Sequence, residues 1–198
     1  MSKIDIKLIQ EVRERTGAGM LNVRKALEEA NGEVEKAVEI LRTKGAASAE
    51  KRAGRNTAEG IVQAYIHPGD QIGVLIEMNC ETDFVARTDE IKNFAKDLCM
   101  HIAAFKPMYL SPEEVDQKFL EHERSIFKSQ LADSGKPEKI VEQIVEGKVN
   151  KLYTEVCLLK QAYIKNDQFS VEDTLKQLIA KTGENIVIKR FARFEVGA

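Results

Sequence analysis

Neither sign of charge dominates this sequence: 30 Lys and Arg stand against 32 Asp and Glu in 198 residues, a formal charge of −2. A dedicated nucleic-acid binder usually carries a basic surplus, so that class is disfavoured. Cysteine is scarce, and Cys80, Cys99 and Cys157 are widely spaced and odd in number. They argue against a disulfide framework and fit a reducing cytoplasm. No stretch is apolar for long enough to span a bilayer. No apolar run follows the lysine of Met1-Ser2-Lys3-Ile4-Asp5, so a secretory signal is not expected there. His67, His101 and His122 belong to no cluster with zinc-ligand spacing. Gly17-Ala18-Gly19 is not a phosphate loop, because it follows a helical stripe and lacks the Lys-Ser/Thr pair. Cys99 and His101 are close in sequence, but near neighbours on a helix point to different faces. A buried Cys99 beside a surface or half-buried His101 is expected. No catalytic constellation, cofactor site or metal site emerges, and the chain does not read as an enzyme.

What is present is an ordinary globular composition, 43% hydrophobic and 31% charged, with length for one or two domains. Residues 1–45 read as three short helices. Leu8, Ile9 and Val12 form one apolar stripe; Met20, Val23, Leu27 and Ala30 a second; Val34, Ala37, Val38 and Leu41 a third. Gly17, Asn31-Gly32 and Gly45 are the expected stops. Residues 46–56 read as a linker, although a continuation of the third helix is open. Residues 57–198 then read as an α+β domain. Strands at Ile61–Ile66 and Ile72–Met78 flank the turn His67-Pro68-Gly69-Asp70. A helix with Thr88 as its cap buries Ile91, Phe94, Ala95, Leu98 and Ile102 and ends before Pro107. Ser111-Pro112-Glu113-Glu114 opens the next helix, and Gly135-Lys136-Pro137 breaks it. A long helix from Glu138 to Leu158, a shorter one marked by Val171, Leu175, Leu178 and Ile179, and a closing strand from Ile186 complete the domain.

Two features need more than packing, and a basic run is weighed beside them. Met20 and Leu21 follow a glycine corner in tandem, and both cannot face the interior of a small bundle. One should be exposed, as protein-contact residues are. Phe84 lies outside the apolar stripe of the helix that follows it, in Asn79-Cys80-Glu81-Thr82-Asp83-Phe84-Val85-Ala86-Arg87. It is either a contact wedge or a loop anchor. Arg42, Lys44, Lys51, Arg52 and Arg55 make a short basic run without aromatics, for which a solvated linker is a better reading than an RNA contact.

The stretch Val12-Arg13-Glu14-Arg15-Thr16-Gly17-Ala18-Gly19-Met20 and the segment Asn79 to Arg87 together resemble the signatures of the translation elongation factor Ts family. They stand in that order about 60 residues apart, a specific combination, and the resemblance runs along essentially the whole chain. It implies a ubiquitin-associated-like three-helix module that docks on elongation factor Tu, GDP-bound or nucleotide-free. It implies that the core's Thr82-Asp83-Phe84-Val85 segment enters near the partner's nucleotide site, with Phe84 as a wedge and Asp83 disturbing the magnesium site. Arg13, Met20, Leu21 and Arg24 fall at partner-docking positions. Members often carry methionine at the place of Leu21, a mild difference in volume, and lysine at the place of Arg24, a change of hydrogen-bonding geometry. Short members pair as dimers, so a homodimer is implied, with no direct nucleic-acid contact. A non-catalytic adaptor and an RNA-associated translation protein are the alternatives.

Overall fold

The computed structural model describes residues 4–197, without the side chain of residue 133. Met1–Lys3, where no secretory signal was expected, lie outside the described residues.

The chain opens with α1 (Ile6–Thr16), capped by the Asp5 carboxylate, which accepts from the Lys7 amide at 3.0 Å. Gly17 ends it at φ 64°, a left-handed conformation that glycine adopts without a Cβ penalty. The corner leads straight into α2 (Met20–Glu29), and α3 follows at Val34–Glu50. The apolar stripes meet as their spacing dictates: Val12, Val23, Ala26, Leu27, Ala30, Ala37 and Val38 are buried. Arg15 of α1 holds Glu35 of α3 with two hydrogen bonds, of 2.7 and 2.9 Å.

Gly45 does not stop α3. A helical glycine costs about 1 kcal/mol relative to alanine, yet here the small residue lies close to α8 (Val171–Thr182). A Cβ on Gly45 would stand 3.8 Å from that of Ala180. Arg42 reaches Asp173 at 2.7 Å, and Arg52 donates to the Gly183 carbonyl at 2.8 Å. The start of the 46–56 segment is therefore helical, packed instead of free.

Strands β1 (Glu59–Ile66), β2 (Ile72–Cys80) and β5 (Ile186–Glu195) form an antiparallel sheet with β2 in the middle. Gly60 is required where β1 meets β2, since a Cβ there would come within 2.2 Å of the Met78 carbonyl oxygen. Along β2 the alternation is regular, and Val74, Ile76, Met78 and Cys80 are buried. Helix α5 (Asp89–Phe105) buries Ile91, Phe94, Ala95, Leu98 and Ile102, the stripe expected of it.

Ser111-Pro112 opens only a single 3-10 turn, Pro112–Glu114. The Glu114 carboxylate turns back to accept from the Leu110 amide, and Val115 is extended and buried. The next helix, α6 (Gln117–Ser129), starts instead from Asp116, which accepts from the amides of Lys118 and Phe119. It pairs with α7 (Glu138–Val156) over Val115, Leu120, Val145, Val149 and Cys157. A two-stranded antiparallel sheet of β3 (Ala162–Tyr163) and β4 (Asn166–Ser170) was not foreseen. β3 has two residues and β4 is polar apart from Phe169, so neither shows alternation.

The chain divides into two compact units: Met1–Gln63, Ile76–Lys96 and Glu172–Lys189 in one, Ala64–Leu75, Asp97–Val171 and Arg190–Ala198 in the other.

Candidate functional site: an exposed aromatic on an anchored turn

Strand β2 ends in Cys80, whose thiol donates to the Thr82 carbonyl at 3.1 Å. Burial, with the Glu184 carboxylate nearby, pushes that thiol upward. Thr82 is extended, and its hydroxyl oxygen accepts from the Val85 amide at 3.4 Å, capping the four-residue helix α4 (Asp83–Ala86). Three of those four residues are apolar, but they cannot all face one way. Ala86 is buried, Val85 half-buried, and Phe84 is left 79% exposed. Asp83 is paired with Arg87 at 2.9 Å, and the Thr88 hydroxyl donates to the Val85 carbonyl at 2.8 Å.

Residues far away in sequence hold this turn. The Glu184 carboxylate accepts from both the amide and the hydroxyl of Thr82, at 3.0 and 2.6 Å. The Asn185 amide donates to Glu81 at 2.6 Å, and the Asn185 side chain donates to the Arg55 carbonyl at 3.1 Å. Thr82, Asp83, Phe84 and Val85 are thus one physical unit, to which the structure adds Glu81, Glu184 and Asn185. Glu184 and Asn185 carried no sequence signal, because their role depends on a contact across 102 residues or more.

Arg13, Met20, Leu21 and Arg24 lie on α1 and α2. Val23, Ala26 and Leu27 take the buried face of α2. Met20 is consequently 59% exposed and Leu21 74%, so both members of the pair, not one, face solvent. Arg24 is exposed and paired with Glu28 at 3.0 Å, and Arg13 is exposed on α1.

One other expectation changes. His101 is fully buried; its Nε2 meets the Gln161 amide oxygen at 2.8 Å and its ring stacks on Phe105 at 4.6 Å. The thiol of Cys99 is likewise buried and pushed up to about 12, and that of Cys157 to about 11. In the basic run Arg42 pairs with Asp173, Lys44 with Glu29 and Arg55 with Glu81, each cation still about half exposed, while Arg52 donates to backbone carbonyls. Among the described residues, no helix is long and apolar enough to cross a membrane.

A model of the family described as "Elongation factor TS" matches residues 6–198. The chain belongs to the elongation factor Ts family. It is 58% identical to the elongation factor Ts of Thermoanaerobacter pseudethanolicus, over 98% of this chain and 95% of that one. It is 57% identical to that of Carboxydothermus hydrogenoformans (98% and 89%) and 56% identical to that of Thermotoga maritima (98% and 97%). Membership of the elongation factor Ts family places the chain in translation elongation, in the general role of a nucleotide exchange factor for elongation factor Tu. It also corrects the flat expectation that the chain is no enzyme. That expectation rested on a failed search for catalytic groups, and a failed search assigns nothing. Membership assigns an exchange-factor role, and no reaction class follows from it.

Proposed function

We propose that this chain drives GDP out of elongation factor Tu by inserting the Asp83-Phe84 turn near the partner's nucleotide and magnesium site. The observation that carries this is Phe84, 79% exposed on a turn held rigidly from behind. A large aromatic kept out of the interior on an ordered support is a surface awaiting a partner. Thr82 sets the turn and Val85 backs it. Residues 1–45 are the docking module, with Arg13, Met20, Leu21 and Arg24 meeting the partner; 46–56 connect, and 57–198 form the core. The setting is cytoplasmic.

The mechanism is linkage. A protein that binds nucleotide-free elongation factor Tu better than the GDP-bound form weakens GDP by the same factor. It needs only contacts that the open state alone satisfies.

The chain works as a homodimer in this proposal. Ile66, Leu75, Phe194 and Val196 are 60%, 45%, 67% and 69% exposed around the ends of the three strands. Gln71 beside β2 accepts from the Val196 amide at 2.9 Å, which keeps the end of β5 next to the start of β2. An apolar face of this kind is suited to a second copy.

The test is release of fluorescent GDP from elongation factor Tu with and without the chain. Acceleration that saturates with added chain is expected. An unchanged release rate would refute the proposal.

A further inference from the structure

We propose that Glu184 is the positioning residue of the exchange turn: by holding Thr82 it sets the direction in which Asp83 and Phe84 project. This rests on the turn acting as described under the proposed function.

A helix of four residues cannot hold itself, because nucleation fixes several dihedrals before hydrogen bonds compensate. The conformation of α4 must therefore be imposed from outside. Glu184 does so with both carboxylate oxygens on one residue. One takes the Thr82 amide at 3.0 Å and the other the Thr82 hydroxyl at 2.6 Å. Since the hydroxyl proton goes to Glu184, its oxygen is left to accept from the Val85 amide and cap the turn. Loss of the carboxylate releases the hydroxyl rotor and the Thr82 amide together. Bonds to a charged acceptor are the stronger kind, which suits a support that must not yield under load.

Glu184 is itself fixed. Its amide donates to the Thr182 hydroxyl at 3.4 Å, and that hydroxyl donates to the Leu178 carbonyl at 2.9 Å, at the end of α8. Beside it the pairing runs the other way, Glu81 accepting from the Asn185 amide at 2.6 Å. Residues 81–82 and 184–185 are thus latched reciprocally. What the latch supplies is preorganisation, which spares the ordering cost on binding.

The experiment measures stimulated GDP release from elongation factor Tu across a range of chain concentrations, for Glu184→Ala, Glu184→Gln, Phe84→Ala and the double variant Phe84→Ala/Glu184→Ala. Glu184→Ala should lower the maximal rate about tenfold, the scale of one lost charge-assisted hydrogen bond. The half-saturating concentration should change little, because Met20, Leu21 and Arg24 are untouched. Glu184→Gln, which still offers one acceptor, should recover part of the loss. In the double variant the two losses should not multiply, since both act through one turn; what Glu184→Ala adds beyond Phe84→Ala is limited to the share of Asp83. Amide hydrogen exchange at Thr82 and Val85 should quicken in Glu184→Ala. A full maximal rate in folded Glu184→Ala, or losses that multiply in the double variant, would overturn the inference while leaving the Phe84 mechanism intact. An undiminished rate in Phe84→Ala would overturn the mechanism and the inference with it. If Glu184→Ala does not fold, Glu184→Gln decides by the same criteria: a partial loss supports positioning and a full rate overturns it.

Discussion

An anchor and a wedge make opposite demands on burial, and Phe84 at 79% exposure has little to anchor. Phe84→Ala should leave the thermal midpoint nearly unchanged, whereas truncating a core phenylalanine costs about 3–5 kcal/mol. The same variant should slow stimulated GDP release about thirtyfold, the equivalent of about 2 kcal/mol at a central aromatic contact. Melting curves and exchange rates on one preparation make the comparison. A melted protein with an intact rate per folded molecule would mark an anchor instead. His101 supplies the opposite case, a polar residue wholly inside. Gln161 donates to the Glu155 carbonyl at 2.7 Å, which turns its amide oxygen toward His101 and makes Nε2 the proton donor. Nδ1 is then bare, buried and without a hydrogen-bond partner. Burial lowers the imidazole from its ordinary value of 6.5, with the Gln161 bond opposing. The folded state thus resists a proton that the unfolded chain accepts. Stability should be full above about 6.5 and fall as the pH drops toward the lowered folded value. Denaturant midpoints measured against pH should show the decline, and His101→Phe should flatten it.

At the scale of elements, two glycines give opposite outcomes for one substitution. Gly45 sits inside α3 with ordinary room toward Ala180. Gly45→Ala should therefore stabilise the protein by about 0.5–1 kcal/mol, seen as a higher melting temperature. Gly60 sits at φ 156° against the backbone of β2, with the Met78 carbonyl oxygen in the place of a Cβ. Gly60→Ala should destabilise by about 3 kcal/mol or more, as strained backbone substitutions do. Helix α3 also explains why residues 1–45 gain from the rest of the chain. Arg42 and Gly45 both lie against α8, so a fragment of residues 1–54 should keep helical circular dichroism at low stability. It should not accelerate GDP release, since it lacks Asp83 and Phe84. Full activity from the fragment would show that the turn is not the working part.

For the whole molecule, self-association is the open quantity. Sedimentation at micromolar concentration should show a species of about twice the chain mass, and Leu75→Lys should reduce it by placing a charge in the apolar face. A strict monomer in the parent chain would remove the dimer without touching exchange. The sequence by itself determined the three apolar stripes of residues 1–45, the β1–β2 hairpin, the stripe of α5, the closing strand and the two signature segments. The stripes and strands are local, set by spacings of two or about four residues, whereas the two signature segments are legible only as a family resemblance. It also marked Phe84, because a large aromatic out of register with its neighbours is visible without coordinates. Only the tertiary structure decided that α3 continues past Gly45, that His101 is buried, that Arg42, Lys44 and Arg55 find carboxylate partners and that Glu184 and Asn185 hold the turn. The deciding partners are mostly fifteen to more than a hundred positions away, such as Lys44 with Glu29 and Thr82 with Glu184. Side-chain period records which face of an element is apolar, but not which distant group will meet it.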